Sequence, residues 1–211
     1  MSKPRRIAII IAVASVVLGC AVLSFAWRHF RPATLSETEL WLRNPSDYTT
    51  LAATDYQVLS SFLNEQNNIR VGSGRGESIL APLTASFPSP IPGEEQRWMK
   101  RELTGLRDDT LANFHRSMRQ TAVLAPRFSI PAPYIIGTFE EAENIERLYA
   151  HFPRTSGFVQ FWCVGYNTDS SQALFWVERR MTHSAVGLYV LMNKDTNGRW
   201  NIAGEMVRWI A

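Results

Sequence analysis

From Ser156 to the end of the chain, apolar and polar positions alternate in four runs: Gly157 to Tyr166, Gln172 to Thr182, Gly187 to Asn193 and Arg199 to Ile210. Each is rich in aromatic and β-branched residues, and alternation of this period predicts strands. Short polar links separate the runs. Asn197-Gly198, in the last link, is a strong hairpin signal because both residues tolerate positive φ. Four consecutive strands with short turns predict an antiparallel meander covered on one face by helices. On this pattern Phe158, Trp162, Val164 and Tyr166 share one face of the first strand with Gln160. Trp200, Ile202, Met206 and Ile210 share one face of the last.

Upstream the spacing changes to that of helices. Tyr56, Val58, Leu59, Phe62 and Leu63 form an apolar stripe in a helix starting at Thr54 or Asp55. Glu94 to Arg119 reads as helix broken near Gly105, with Asp108 or Asp109 capping the second piece. Ser36-x-x-Glu39 and Thr138-x-x-Glu141 are capping boxes. The first opens a short helix that stops before Pro45, the second a helix carrying Ile145, Leu148 and Tyr149. The stretch 72–93, with Gly72, Gly74, Gly76 and four prolines, reads as a flexible segment.

The longest apolar run, Ile7 to Trp27, has 21 residues without a charge, between Lys3, Arg5 and Arg6 on one side and Arg28 and Arg31 on the other. At ~1.5 Å per residue such a helix matches the hydrocarbon core of a bilayer. The predicted class is therefore α+β: an N-terminal transmembrane helix, then helices packed on a C-terminal four-stranded antiparallel meander. Residues 1–31 form a cytoplasmic stub and anchor, and residues 32–211 a single extracytoplasmic domain, the orientation following from the excess of basic residues before the run. Val17-Leu18-Gly19-Cys20 offers an alternative, a lipoprotein modified at Cys20. The apolar residues Ala21 to Trp27 that follow, where a polar tether is usual, favour the anchor.

Five of the 22 Lys and Arg flank the membrane run, leaving 17 against 19 Asp and Glu. The domain is thus mildly acidic, with no basic stripe for nucleic acid. Cys163 is the only cysteine beyond the apolar run, so no disulfide closes within the domain. Gly72-Ser73-Gly74-Arg75-Gly76 lacks the spacing of a phosphate-binding loop. Asn193 to Gly198 resembles the start of a calcium loop, but Gly204 stands where a bidentate Glu is required. His115, His151 and His183 lie in separate elements, and no motif implies a metal or cofactor. Glu140, Glu141, Glu143 and Glu146 read as a solvated helix start. Arg179, Arg180, His183 and Glu205 interrupt or flank the apolar strands and are the candidate ligand-binding residues.

Gly157-Phe158, Val164-Gly165-Tyr166-Asn167, Gln172-Ala173-Leu174, Gly187-x-Tyr189-x-Leu191, Gly198-x-Trp200 and Trp209-Ile210 follow one another in an order that resembles a family of bacterial envelope-directed proteins with no established activity. The resemblance is firmest over Ser156 to Ala211. It implies a terminal meander and an envelope location and carries no site residues. Trp162 and Cys163 depart from it, standing where a small polar and a basic residue are usual. The closing hairpin is also similar, at the level of fold alone, to NTF2-like domains.

These features point to a membrane-anchored extracytoplasmic binding or interaction domain, working through the sheet's concave face or the 72–93 segment on a small-molecule ligand or an envelope protein. The alternatives are an extracytoplasmic hydrolase or isomerase with a pocket in the sheet, and an envelope assembly or accessory subunit. The anchor has a direct consequence. The full chain should fractionate with membranes through alkaline washing, and removal of Met1 to Arg31 should release the domain. Palmitate incorporation that depends on Cys20 would establish the lipoprotein instead.

Overall fold

The computed structural model describes residues 49–69, 77–87, 89–138, 141, 144–155, 157–181 and 184–211. The run Ile7 to Trp27 with Cys20, the Ser36-x-x-Glu39 box, Gly72, Gly74, Gly76, Glu140, Glu143 and His183 lie outside the described residues. Among the described residues no helix is long and apolar enough to cross a membrane.

The fold is α+β. In chain order it runs β1 (Thr49–Thr50), α1 (Ala53–Ile69), β2 (Ser78–Leu80), α2 (Gly93–Glu102), α3 (Asp108–Ser117), β3 (Ala122–Val123) and β4 (Tyr134–Ile136). It continues with α4 (Ile145–His151), β5 (Gly157–Phe161), β6 (Gly165–Tyr166), β7 (Gln172–Met181), β8 (Ser184–Lys194) and β9 (Trp200–Ile210). Helix α1 begins one residue before the expected Thr54, because Asp55 Oδ2 accepts from Ala52 N–H at 2.8 Å and satisfies a donor ahead of the first turn. The Thr138 box closes in both directions: Thr138 N–H donates to Glu141 at 2.7 Å and Glu141 N–H to Thr138 Oγ1 at 3.3 Å. Helix α4 nonetheless has its own cap, Asn144 Oδ1 accepting from Arg147 N–H at 3.0 Å.

The main sheet is mixed, in the order β4-β2-β5-β7-β8-β9, with β6 also pairing β7. Strands β5, β7, β8 and β9 run antiparallel, whereas β2 lies parallel to both β4 and β5. The Gly/Pro-rich segment 72–93 was expected to be flexible, and over Ser78–Leu80 a strand stands instead. Its described part contributes β2, with Ile79 and Leu80 fully buried. Parallel pairing to distant strands leaves no alternation or turn signature in so short a strand.

Helices cover both faces of the sheet, not one. Ala173, Phe175 and Val177 of β7 pack under Tyr56, Leu59 and Phe62 of α1. Phe62 meets Phe161 and Phe175 edge-on at 6.2 and 5.4 Å. On the other face Leu174 and Trp176 pack against Met99 of α2 and Leu111 and Phe114 of α3. Leu148 of α4 covers Ile79 and Phe158. Gln172, at the head of β7, ties the α2–α3 turn to the sheet. Its Oε1 accepts from Arg107 N–H and Thr110 Oγ1 at 2.9 Å, and its Nε2 donates to Gly105 O and Asn193 Oδ1 at 3.0 Å. With all four of these bonds made, the cost of taking the amide out of water is offset.

Two expected strand faces do not survive. The β8–β9 register shifts between Gly187 and Leu188 and between Leu191 and Met192. Each shift places an extra β9 residue, Arg208 and Ala203 respectively, opposite the ladder. Trp200 and Ile202 therefore pack on the α1 side while Met206 packs on the other. Likewise the chain leaves the ladder between β5 and β6, so Phe158 and Trp162 lie apart from Val164 and Tyr166.

Helix α3 lies against β6 where Gly165 has no side chain. A Cβ there would sit 2.2 Å from Phe114 Cα, a backbone atom that cannot yield. Gly165→Ala should lower stability by at least the ~1–3 kcal/mol of ordinary overpacking. Urea unfolding followed by tryptophan fluorescence reads this directly, and an unchanged midpoint would show that α3 does not press on β6.

Candidate ligand-binding site

Helix α1 carries two stripes. The apolar one faces the sheet. The other, Gln57, Ser60, Ser61, Asn64 and Glu65, recurs at the spacing that places residues on one helix face. This polar stripe borders a groove of about 740 Å³ whose opposite wall is the β8–β9 turn from Gly198 to Asn201, with Ser129 closing one side.

The walls are fixed by hydrogen bonds. Ser129 N–H donates to Ser60 Oγ at 2.9 Å, and Asn64 Nδ2 to Ser129 O at 3.1 Å. Glu65 Oε2 accepts from Ile202 N–H at 3.0 Å, holding β9 against α1. In the turn, Asp195 Oδ1 accepts from Asn197 and Arg199 N–H at 2.8 and 2.9 Å, while Arg199 Nε donates to Asp195 Oδ2 at 3.0 Å. Gly198 takes φ +78°, the left-handed geometry that the Asn-Gly pair supplies. Trp200 is 5% exposed, tilted against Tyr166 and with the Lys194 ammonium 4.7 Å from its ring centre. Asn64 Oδ1 and Trp200 Nε1, both in residues lining the groove, are buried without a hydrogen-bond partner among the described residues. Each such atom costs ~1–3 kcal/mol.

The residues marked out in the sequence are divided between the faces of the sheet. Arg179 Nη1 donates to Gln66 Oε1 at 2.8 Å, and Gln66 Nε2 donates to Glu205 Oε1 at 2.8 Å, so Arg179 and Glu205 meet through α1. Arg180 pairs with Glu178 on the opposite face. Arg179 and Arg180 nonetheless both line a cavity of about 20 Å³, with Phe62, Gln66, Ser78 and Gly157, room for one water. His183 lies outside the described residues.

Other chemistry is dispersed. Cys163 is buried beside Thr84 Oγ1, donates to Gln120 O, and burial pushes its thiol up to about 11. Such a thiol is unreactive at neutral pH. His151 Nδ1 lies 3.1 Å from Glu141 Oε1, where burial opposes ionisation but the Thr138 N–H and His151 hold the carboxyl below its ordinary value. Burial, then Arg119, lowers His115. Among the described residues no three His, Cys, Asp or Glu side chains come together as a metal site.

The polar stripe was visible in the sequence as the complement of the apolar one. Its default meaning is a solvated helix face, and only the distant β8–β9 turn makes it a groove wall.

Burial raises the Glu205 carboxyl above its ordinary value, with Arg179 opposing and Glu65 adding to the rise. Between the ordinary pKa of about 4.3 and the raised folded value, the folded chain keeps a proton that the unfolded chain releases. This group's contribution to stability is therefore lost as pH rises through that window. Glu205→Gln stops the titration and keeps an acceptor for Gln66. Its urea midpoint relative to the parent should climb from pH ~4 to ~7, and a difference that falls with pH would mean that ionised Glu205 is stabilising.

Compared with protein-family models, curated proteins and solved structures, the chain finds no match in any of the three.

Proposed function

We propose that the protein is a membrane-anchored extracytoplasmic binding domain, held by Ile7 to Trp27, whose ligand occupies the groove between α1 and the β8–β9 turn. The groove carries this reading. Its volume of about 740 Å³ falls in the range of small-molecule sites, ~300–1,000 Å³. Its walls come from a helix and a hairpin that hydrogen bonds hold in place, and it concentrates side chains able to donate and accept. The hydrolase alternative has less support, because Cys163, His115 and His151 stand in three different parts of the fold. The resemblance of the meander to envelope-directed proteins agrees with the location.

Thermal unfolding of the full-length protein in lipid nanodiscs, scanned against amino acids, nucleotides, sugars and short peptides, tests the proposal. At a hundredfold excess over Kd a ligand stabilises by ~2.7 kcal/mol, a rise of several degrees for a domain of this size. That rise should vanish in Ser61→Trp, which fills the groove from a partly exposed position. Turnover of ester, phosphate or peptide substrates that is lost in His115→Ala or His151→Ala would overturn the proposal in favour of a hydrolase.

A further inference from the structure

We infer that the groove takes an uncharged, hydroxyl-rich chain, a neutral oligosaccharide. The inference rests on the groove being the binding site and adds the class of its ligand.

Charge comes first. The two ionisable groups in the lining, Glu65 and Arg199, are both engaged: Glu65 by Ile202 N–H at 3.0 Å and Arg199 by Asp195 at 3.0 Å. Lys194 stands over the Trp200 ring at 4.7 Å. Among the described lining residues a phosphate or carboxylate ligand would find one cation, Arg199, already paired with Asp195.

Hydrogen-bonding capacity comes second. Gln57, Asn64 and Asn201 present amides, and Ser61 a hydroxyl, each able to donate and to accept, while Ser60 is buried beneath them on the Ser129 N–H. A hydroxyl is the neutral ligand group that satisfies donors and acceptors alike, and a saccharide carries one on nearly every carbon.

An extended peptide fits less well. At the groove it would bind by adding to β9, an edge strand among the described residues, through main-chain bonds. At the groove the Ile202 N–H is already taken by Glu65, and the bulge at Ala203 breaks the ladder next to it. The wall along α1 runs from Gln57 to Glu65, about 12 Å of helix axis, longer than one sugar ring.

The test uses the full-length protein in nanodiscs, free of glycosidic detergents. Isothermal titration is run with short β-linked glucose and N-acetylglucosamine oligomers, with acidic oligosaccharides, and with extended peptides. A neutral oligosaccharide should bind, more tightly with added units. Gln57→Ala and Asn64→Ala should each weaken it about tenfold, ~1.4 kcal/mol. Arg180→Gln, on the opposite face, should leave it unchanged, and circular dichroism confirms that each variant is folded. Binding of peptides or acidic sugars in a Gln57- and Asn64-dependent way, without neutral oligosaccharides, overturns the ligand class while leaving the groove as the binding site. Oligosaccharide binding indifferent to both substitutions overturns the site. Absence of binding by any of these probes overturns this inference, and the binding-domain proposal falls with it only if the broader ligand scan is also silent.

Discussion

Burial of β7 on both faces is the constraint from which the rest of the architecture follows. Every residue from Gln172 to Glu178 is buried. A strand with two dry faces needs its ladder filled on both edges and an apolar layer on each side. Strands β5 and β6 fill one edge and β8 the other. Helix α1 supplies one layer, and α2, α3 and α4 the other. The ends of the buried stretch are polar, and both are answered: Gln172 by its four hydrogen bonds and Glu178 by Arg180. Unanswered, either group would cost more than a neighbouring methyl contact gains.

The two layers are unequal, and the inequality produces the groove. Among the described residues three helices share the face of Leu174 and Trp176, while α1 is the one helix on the face of Phe175. A single helix covers only a strip, so its outer side stands beside the projecting β8–β9 turn with open space between. Ser60 and Glu65 pin α1 to the 129 loop and to β9, which keeps that space from collapsing. Arg179, Gln66 and Glu205 extend the same polar contact toward the far end of α1.

The elements legible in the sequence were those set by local chemistry. The apolar stripe of α1, the break at Gly105, the Thr138 box and the Asn197-Gly198 turn each depend on residues within one turn of helix or hairpin. What escaped depends on distant partners. Strand β2 exists because β4 and β5 flank it. The bulges at Ala203 and Arg208 invert the face of every residue beyond them; each has a glycine beside it, Gly204 next to Ala203 and Gly187 on β8 at the Arg208 shift, a signal the alternation pattern alone passes over. For the same reason Arg179 and Arg180 appeared as neighbours in sequence, whereas the strand sends them to opposite layers. The groove was illegible because half of it is a helix face that reads as solvated until a turn over a hundred residues away is placed beside it.

Strand β9 also shows how an exposed edge is managed. Among the described residues it is one of the two edge strands, 11 residues long, with Val207 48% and Ile210 74% exposed. A flat edge of this length is a template for pairing with another copy, a hazard that local concentration at a membrane would increase for a chain anchored as proposed. The two bulges divide the edge into shorter stretches, and Glu65 occupies the Ile202 N–H. Glu65 therefore serves two surfaces at once, the edge of the sheet and the wall of the groove. A groove ligand that drew its carboxylate away would expose a main-chain donor on β9, so a compatible ligand has to bind the neighbouring amides and hydroxyls and leave that bond intact. Apart from Arg199, which Asp195 pairs, the remaining lining is uncharged, and that is what permits this.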